Sequence, residues 1–123
     1  MTPLSDIKFL VNLDLMGNGA EGVMVVNGTI NPSEFQLLKS INEKEKYLPE
    51  VKIRGKAANS DHYWFAQSGV PAFFFYLGAM PKGMKPAEAS LHHTPEFFID
   101  ESGFDLGVKA FCQLVFDYAG TKK

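Results

Sequence analysis

Apolar residues in this chain fall into short runs separated by glycine, proline and asparagine, with helical spacing in two of the longer stretches. Ile7 to Leu13 is a mostly apolar run of strand length that ends in Asp14, the pattern of a strand buried on both faces. Leu15-Met16-Gly17-Asn18-Gly19 breaks it. Val23 to Val26 reads as a second, β-branched strand closed by Asn27-Gly28. Asn31-Pro32-Ser33-Glu34 starts a helix, with Asn31 or Ser33 as its cap. Phe35, Leu38 and Ile41 carry that helix over about residues 32–47, and Pro49 closes it. Val51-Lys52-Ile53-Arg54 alternates and predicts a more exposed strand. A short helix over about 60–67, capped by Ser60 or Asp61, stops at Gly69. Pro71 to Leu77 is apolar on both faces and predicts a central strand. Residues 78–90, with Pro81, Gly83 and Pro86, read as a loop. Asp100 or Ser102 then caps a closing helix over about 101–118, whose Phe104, Val108, Phe111, Val115 and Phe116 are expected to face the sheet. Strands alternating with helices give an α/β fold, a mixed sheet of about four strands with three helices.

A length of 123 residues allows one domain, 1–123, and no second. The 13% aromatic content gives enough surface to bury, which excludes an extended disordered chain. With a net charge of −2 and a pI of about 5.9, neither nucleic acid nor an anionic membrane is an expected partner. No leader-like start and no membrane-length apolar run is read, and the compartment is left open. The single cysteine, Cys112, excludes an internal disulfide and is expected in the core rather than as a nucleophile.

Three places could carry chemistry. Asp14 ends a strand, and ligands of open α/β sheets bind beyond the carboxyl ends of strands; the same carboxylate could equally cap the following turn. Ser60-Asp61-His62 contains the residue types of a hydrolytic triad, but neighbours at a helix start cannot converge as nucleophile, base and orienter, so capping is the plainer role. His92-His93-Thr94-Pro95 offers imidazoles beside a rigid proline, either a metal ligand or an ordinary loop pair.

Taken together, these segments resemble a known family. Ile7 to Gly17, then Ala57-Ala58-Asn59-Ser60-Asp61-His62-Tyr63-Trp64-Phe65 and Gly69-Val70-Pro71-Ala72, look like the second half of a zinc aminopeptidase domain. The branch is the aminopeptidase Y type, to which the glutaminyl cyclases are related. From about residue 72, Phe73 to Pro81 and Leu91 to Ser102 instead resemble metal-dependent amidohydrolases of the aminoacylase and hippurate hydrolase kind. The resemblance therefore switches branch near residues 70–77, which implies a chimera of two related hydrolases or a divergent natural fragment.

The resemblance implies half of a zinc-exopeptidase (phosphorylase/hydrolase-like) domain and metal-dependent cleavage of a peptide or amide bond. Zinc is the implied cofactor, with Asp14 and His93 as its ligands; both branches' histidine patterns select His93 over His92. Ser60, Asp61 and His62 match a motif on the substrate side of the site. The family's other ligands and its glutamate base precede the strand matched by Asp14, where this sequence has thirteen residues. The expectation is a chain inactive by itself, with no catalytic base, holding zinc weakly or not at all. A non-catalytic scaffold or assembly module is the alternative. Expected partners are a second copy joined through an exposed sheet edge, or a complementing half-domain.

Overall fold

The computed structural model describes residues 2–14, 22–76 and 104–121. Four strands form one mixed sheet: β1 (Leu10–Leu13), β2 (Val23–Val26), β3 (Val51–Ile53) and β4 (Ala72–Tyr76). Three helices accompany it: α1 (Pro32–Glu45), α2 (His62–Gln67) and α3 (Phe104–Thr121). The strand order is β1-β4-β2-β3, with β1 parallel to β4, β2 antiparallel to β4 and parallel to β3. The α/β class with a mixed four-stranded sheet and three helices is thus the architecture found.

β4 is central, as its doubly apolar sequence requires: residues 72–75 are all buried. Its side chains alternate between two layers. Phe73 and Phe75 join Val23, Val25, Leu38, Ile41, Ala110 and Leu114 in the main core, under α1 and α3. Phe74 points the other way, where His62 of α2 stacks on it with ring centroids 5.3 Å apart. The sheet is therefore covered on both faces, by a long helix pair on one and a short helix on the other.

Local sequence explains the junctions. Pro32 at the first turn of α1 has no amide of its own to leave unpaired, and Asn31 precedes it. No side-chain cap bond forms; Asn31 Nδ2 donates instead to the carbonyls of Asn27 and Ala72, stitching the helix start to β4. α2 ends in a Schellman turn: Gly69 N–H donates to Ala66 O and Val70 N–H to Phe65 O, with Gly69 at φ +82°. The tight passage into β2 needs Gly22, since a Cβ there would land on the Glu50 carbonyl.

Three sequence expectations are corrected. β1 is shorter than the apolar run and lies at the end of the described strands, half-buried rather than covered on both faces. In α3, Phe104, Val108, Val115 and Phe116 are exposed, and the helix turns Ala110 and Leu114 inward instead. Bulk selected the wrong stripe, because this helix is apolar around most of its circumference and the small residue Ala110 allows the closer approach. Cys112 is exposed rather than in the core. The loop at 78–90 and the caps at Asp100 or Ser102 lie outside the described residues.

Candidate functional site

Residues two apart on a strand share a face, so Asn12 and Asp14 both project toward the α2 side of the sheet. Asp14 follows the last residue of β1, and its amide donates to Phe75 O at 3.2 Å, which fixes it beside the carboxyl end of β4. The parallel pair β1 and β4 thus ends at one place, and the carboxylate stands there exposed. The loop from β3 to α2 arrives at the same spot. Asn12 Nδ2 donates to Ser60 Oγ at 2.7 Å, and Ser60 Oγ donates to Asp14 Oδ2 at 2.8 Å.

A second pair of side chains fastens that loop from beneath. His62 is fully buried and its Nε2 is 2.9 Å from Ala57 O. Asn27, also buried, accepts the Ala57 amide at 3.4 Å through Oδ1. It sits in the left-handed region at φ 65°, a conformation asparagine tolerates, at the exit of β2. His62 Nδ1 and Asn27 Nδ2 are buried without a hydrogen-bond partner among the described residues. Burial holds the His62 imidazole below its usual pKa, while the Ala57 carbonyl and the nearby Asp61 charge act in the opposite direction. His62 is therefore a neutral ring that donates through Nε2.

Ser60, Asp61 and His62 do not converge. Ser60 reaches Asp14, Asp61 is exposed at the start of α2 without a side-chain cap bond, and His62 turns inward onto Phe74. Capping by Ser60 or Asp61 is accordingly corrected: the Ser60 and Asp61 backbone carbonyls receive the amides of Tyr63 and Trp64, and the serine hydroxyl is spent on the strand. Asn12 and Asn27 were not singled out by sequence. Asn12 had a usable signal, its position two before Asp14 on one strand face. Asn27 had none, since Asn-Gly after a strand reads as a turn. His92 and His93 lie outside the described residues, as do Glu96, Asp100 and Glu101.

Comparison with protein families gives a match to Peptidase family M28 over residues 1–101. The chain belongs to peptidase family M28. The matched span includes Asp14, Ser60-Asp61-His62 and His93, and it runs across residues 70–77. Neither the curated proteins nor the solved structures contain a match to the chain.

Peptidases of family M28 are typically zinc-dependent, so the site can be tested against that ion. Asp14 fits one ligand position: it is a hard oxygen donor whose Oδ2 is held by Ser60 and whose Oδ1 has no partner among the described residues. A cage does not follow. Among the described residues no three His, Cys, Asp or Glu side chains converge, and a zinc site with fewer than three protein ligands is not a catalytic one. What the described residues of this M28 chain bring together is an oriented carboxylate at a strand end.

Proposed function

We propose that this M28 chain carries part of a zinc exopeptidase site, of the aminopeptidase Y and glutaminyl cyclase-like branch, and does not hydrolyse peptides by itself. Asp14 and His93 are its zinc positions, and Ser60, Asp61 and His62 shape the adjoining face where substrate lies. The single observation that supports this is the Asn12–Ser60–Asp14 chain at the carboxyl ends of β1 and β4, inside the span matched by the family. Inactivity follows from the ligand count. Among the described residues no three His, Cys, Asp or Glu side chains converge, so they assemble neither the metal pair nor a base beside it. The matched span crossing residues 70–77 favours one origin for that stretch over a join to an amidohydrolase tail; the source of the encoding gene decides this.

The test is zinc content and turnover. After equilibration with zinc and dialysis, metal analysis is expected to find weak, sub-stoichiometric zinc, lowered further in Asp14→Asn and His93→Ala. Aminoacyl anilides and N-acyl amino acids are expected to react no faster than in buffer. Tight one-to-one zinc, or chelator-sensitive turnover that follows the chain through purification, would overturn the reading, with His92 and Glu96 the first additional ligands to replace. A scaffold or assembly module is the second reading, favoured by the lack, among the described residues, of any group of three His, Cys, Asp or Glu side chains. Zinc content unchanged by either substitution would support it.

A further inference from the structure

β1 lies at the end of the described sheet, parallel to β4, and the Leu10 and Asp14 amides donate across that pair. Backbone direction alternates along a strand, so Val11 and Leu13 turn their N–H and C=O groups to the other side, where no described strand lies. Side chains alternate as well: Phe9, Val11 and Leu13 share the α3 face, and Lys8, Leu10, Asn12 and Asp14 share the opposite one. Lys8 and Asp14 are exposed, and neither forms an ion pair among the described residues. A twofold axis normal to the sheet lays a second copy of β1 antiparallel along this edge. Outward groups must meet outward groups, so the axis passes through a residue and not between two. With Leu10 on the axis, Asp6 faces the second copy's Asp14, and like charges directly opposite repel. With Asn12 there, Asp14 faces Leu10. With Val11 there, Lys8 faces Asp14 twice over, Phe9 faces Leu13, and the two Val11 residues exchange their backbone groups. We propose that two copies of this chain associate through β1 in that register, joining the four described strands of each into one sheet.

The helix α3 carries a second surface for the same axis. Phe104, Val108, Phe111 and Val115 are four, three and four positions apart, which places them on one stripe of the helix. Phe111 and Val115 line an apolar cleft together with Phe9 and Val11, so this stripe overlooks the open edge. Phe104, Val108 and Val115 stand exposed on it. An axis normal to the sheet keeps both α3 helices on one face, and the two stripes then face each other across the seam. A second copy thus covers strand edge and helix stripe together, with the charges of β1 matched.

The experiment uses the whole chain with chelator present throughout, which keeps it independent of the zinc reading of Asp14. Sedimentation equilibrium is expected to show monomer and dimer in exchange. Dimerisation is expected to be about tenfold weaker in Lys8→Glu and in Asp14→Lys, since each sets two like-charged pairs across the axis. Mixed one to one, these two variants are expected to form a heterodimer as tight as the parent dimer, because every facing pair is again opposite in sign. Damage to the fold of either variant would not be repaired by the other chain. The register has its own readout. Facing residues on the axis have Cα atoms about 5.5 Å apart, within disulfide reach. In a Cys112→Ser background, Val11→Cys is expected to cross-link to its own copy on oxidation, and Leu10→Cys to cross-link only when mixed with Asn12→Cys. This arm needs no charge reversal and decides the matter should Asp14→Lys fail to fold. A parent chain that stays monomeric at every concentration overturns the proposal. A dimer that neither reversal weakens, that mixing does not restore, or whose Val11→Cys chains stay unlinked overturns it equally.

Discussion

At the scale of single residues, His62 has the most to lose from a change of pH. It is fully buried against Phe74, with Nε2 on the Ala57 carbonyl and Nδ1 unpartnered among the described residues. Adding a proton would place a charge where no acceptor waits for it, which is why burial lowers its pKa. The folded state therefore binds fewer protons than the unfolded chain, whose histidines titrate near about 6.5. The sign follows: this contribution is complete above the unfolded value and is lost as pH falls from there through the lowered folded value. Urea midpoints are expected to drop between neutral pH and the point where carboxylates begin to titrate, and the drop to flatten in His62→Gln. Parallel profiles for the two proteins would refute it. The roles of the motif around this histidine were only partly legible. Sequence could say that Ser60, Asp61 and His62 cannot act on one another, because consecutive residues at a helix start point apart. It could not say where each goes, since the partners Asp14, Ala57 and Phe74 are fixed by tertiary packing rather than by local spacing.

At the scale of elements, strands were easier to read than the face of the last helix. β2 and β4 appear where β-branched and aromatic runs put them, because a strand covered on both faces leaves an unbroken apolar signature. In α3 the pattern has no clean polar side, so periodicity gave the span and missed the orientation. The packing decides between the two stripes: Leu114 is 0% exposed and Phe116 is 76% exposed. Leu114→Ala leaves a cavity between α3, α1 and the sheet and is expected to cost about 2–5 kcal/mol. Phe116→Ala, at a site in solvent, is expected to stay within about 0.5 kcal/mol of the parent. Chemical denaturation of the two variants checks this ordering. Equal losses would mean that the outer face of α3 is covered in solution.

At the scale of the molecule, one side of α3 adjoins β1, the last strand of the sheet among the described residues. Among the described residues β1 pairs only with β4, in register from Leu10 opposite Ala72 to Leu13 opposite Phe75, with the Leu10 and Asp14 amides donating across it; the alternate backbone groups, those of Val11 and Leu13, point outward. Beside them, Phe9, Val11, Phe111, Leu114, Val115 and Tyr118 line a mostly apolar cleft of ≈ 190 Å³ between β1 and α3. Val115 in its lining is 46% exposed, and Leu13, two residues beyond Val11 on the same strand face, is 40% exposed. The class of fold could be read from alternating strands and helices; the strand order could not, since the pairing of β1 with β4 joins segments some sixty positions apart. That order is what leaves β1, among the described residues, with an open side. Unpaired strand groups next to apolar surface favour association with a like edge, and two antiparallel copies of β1 are self-complementary about a twofold axis. Light scattering across a tenfold dilution series is expected to give a mass that rises with concentration. Leu13→Lys, which puts a charge on the open edge while leaving the Leu114 core untouched, is expected to hold the chain as a monomer throughout. A monomer of the parent chain at every concentration, with no slow aggregation, would mean that the edge and the face of α3 are satisfied within one copy. The same outcome would make the cost of Phe116→Ala a property of the monomer alone.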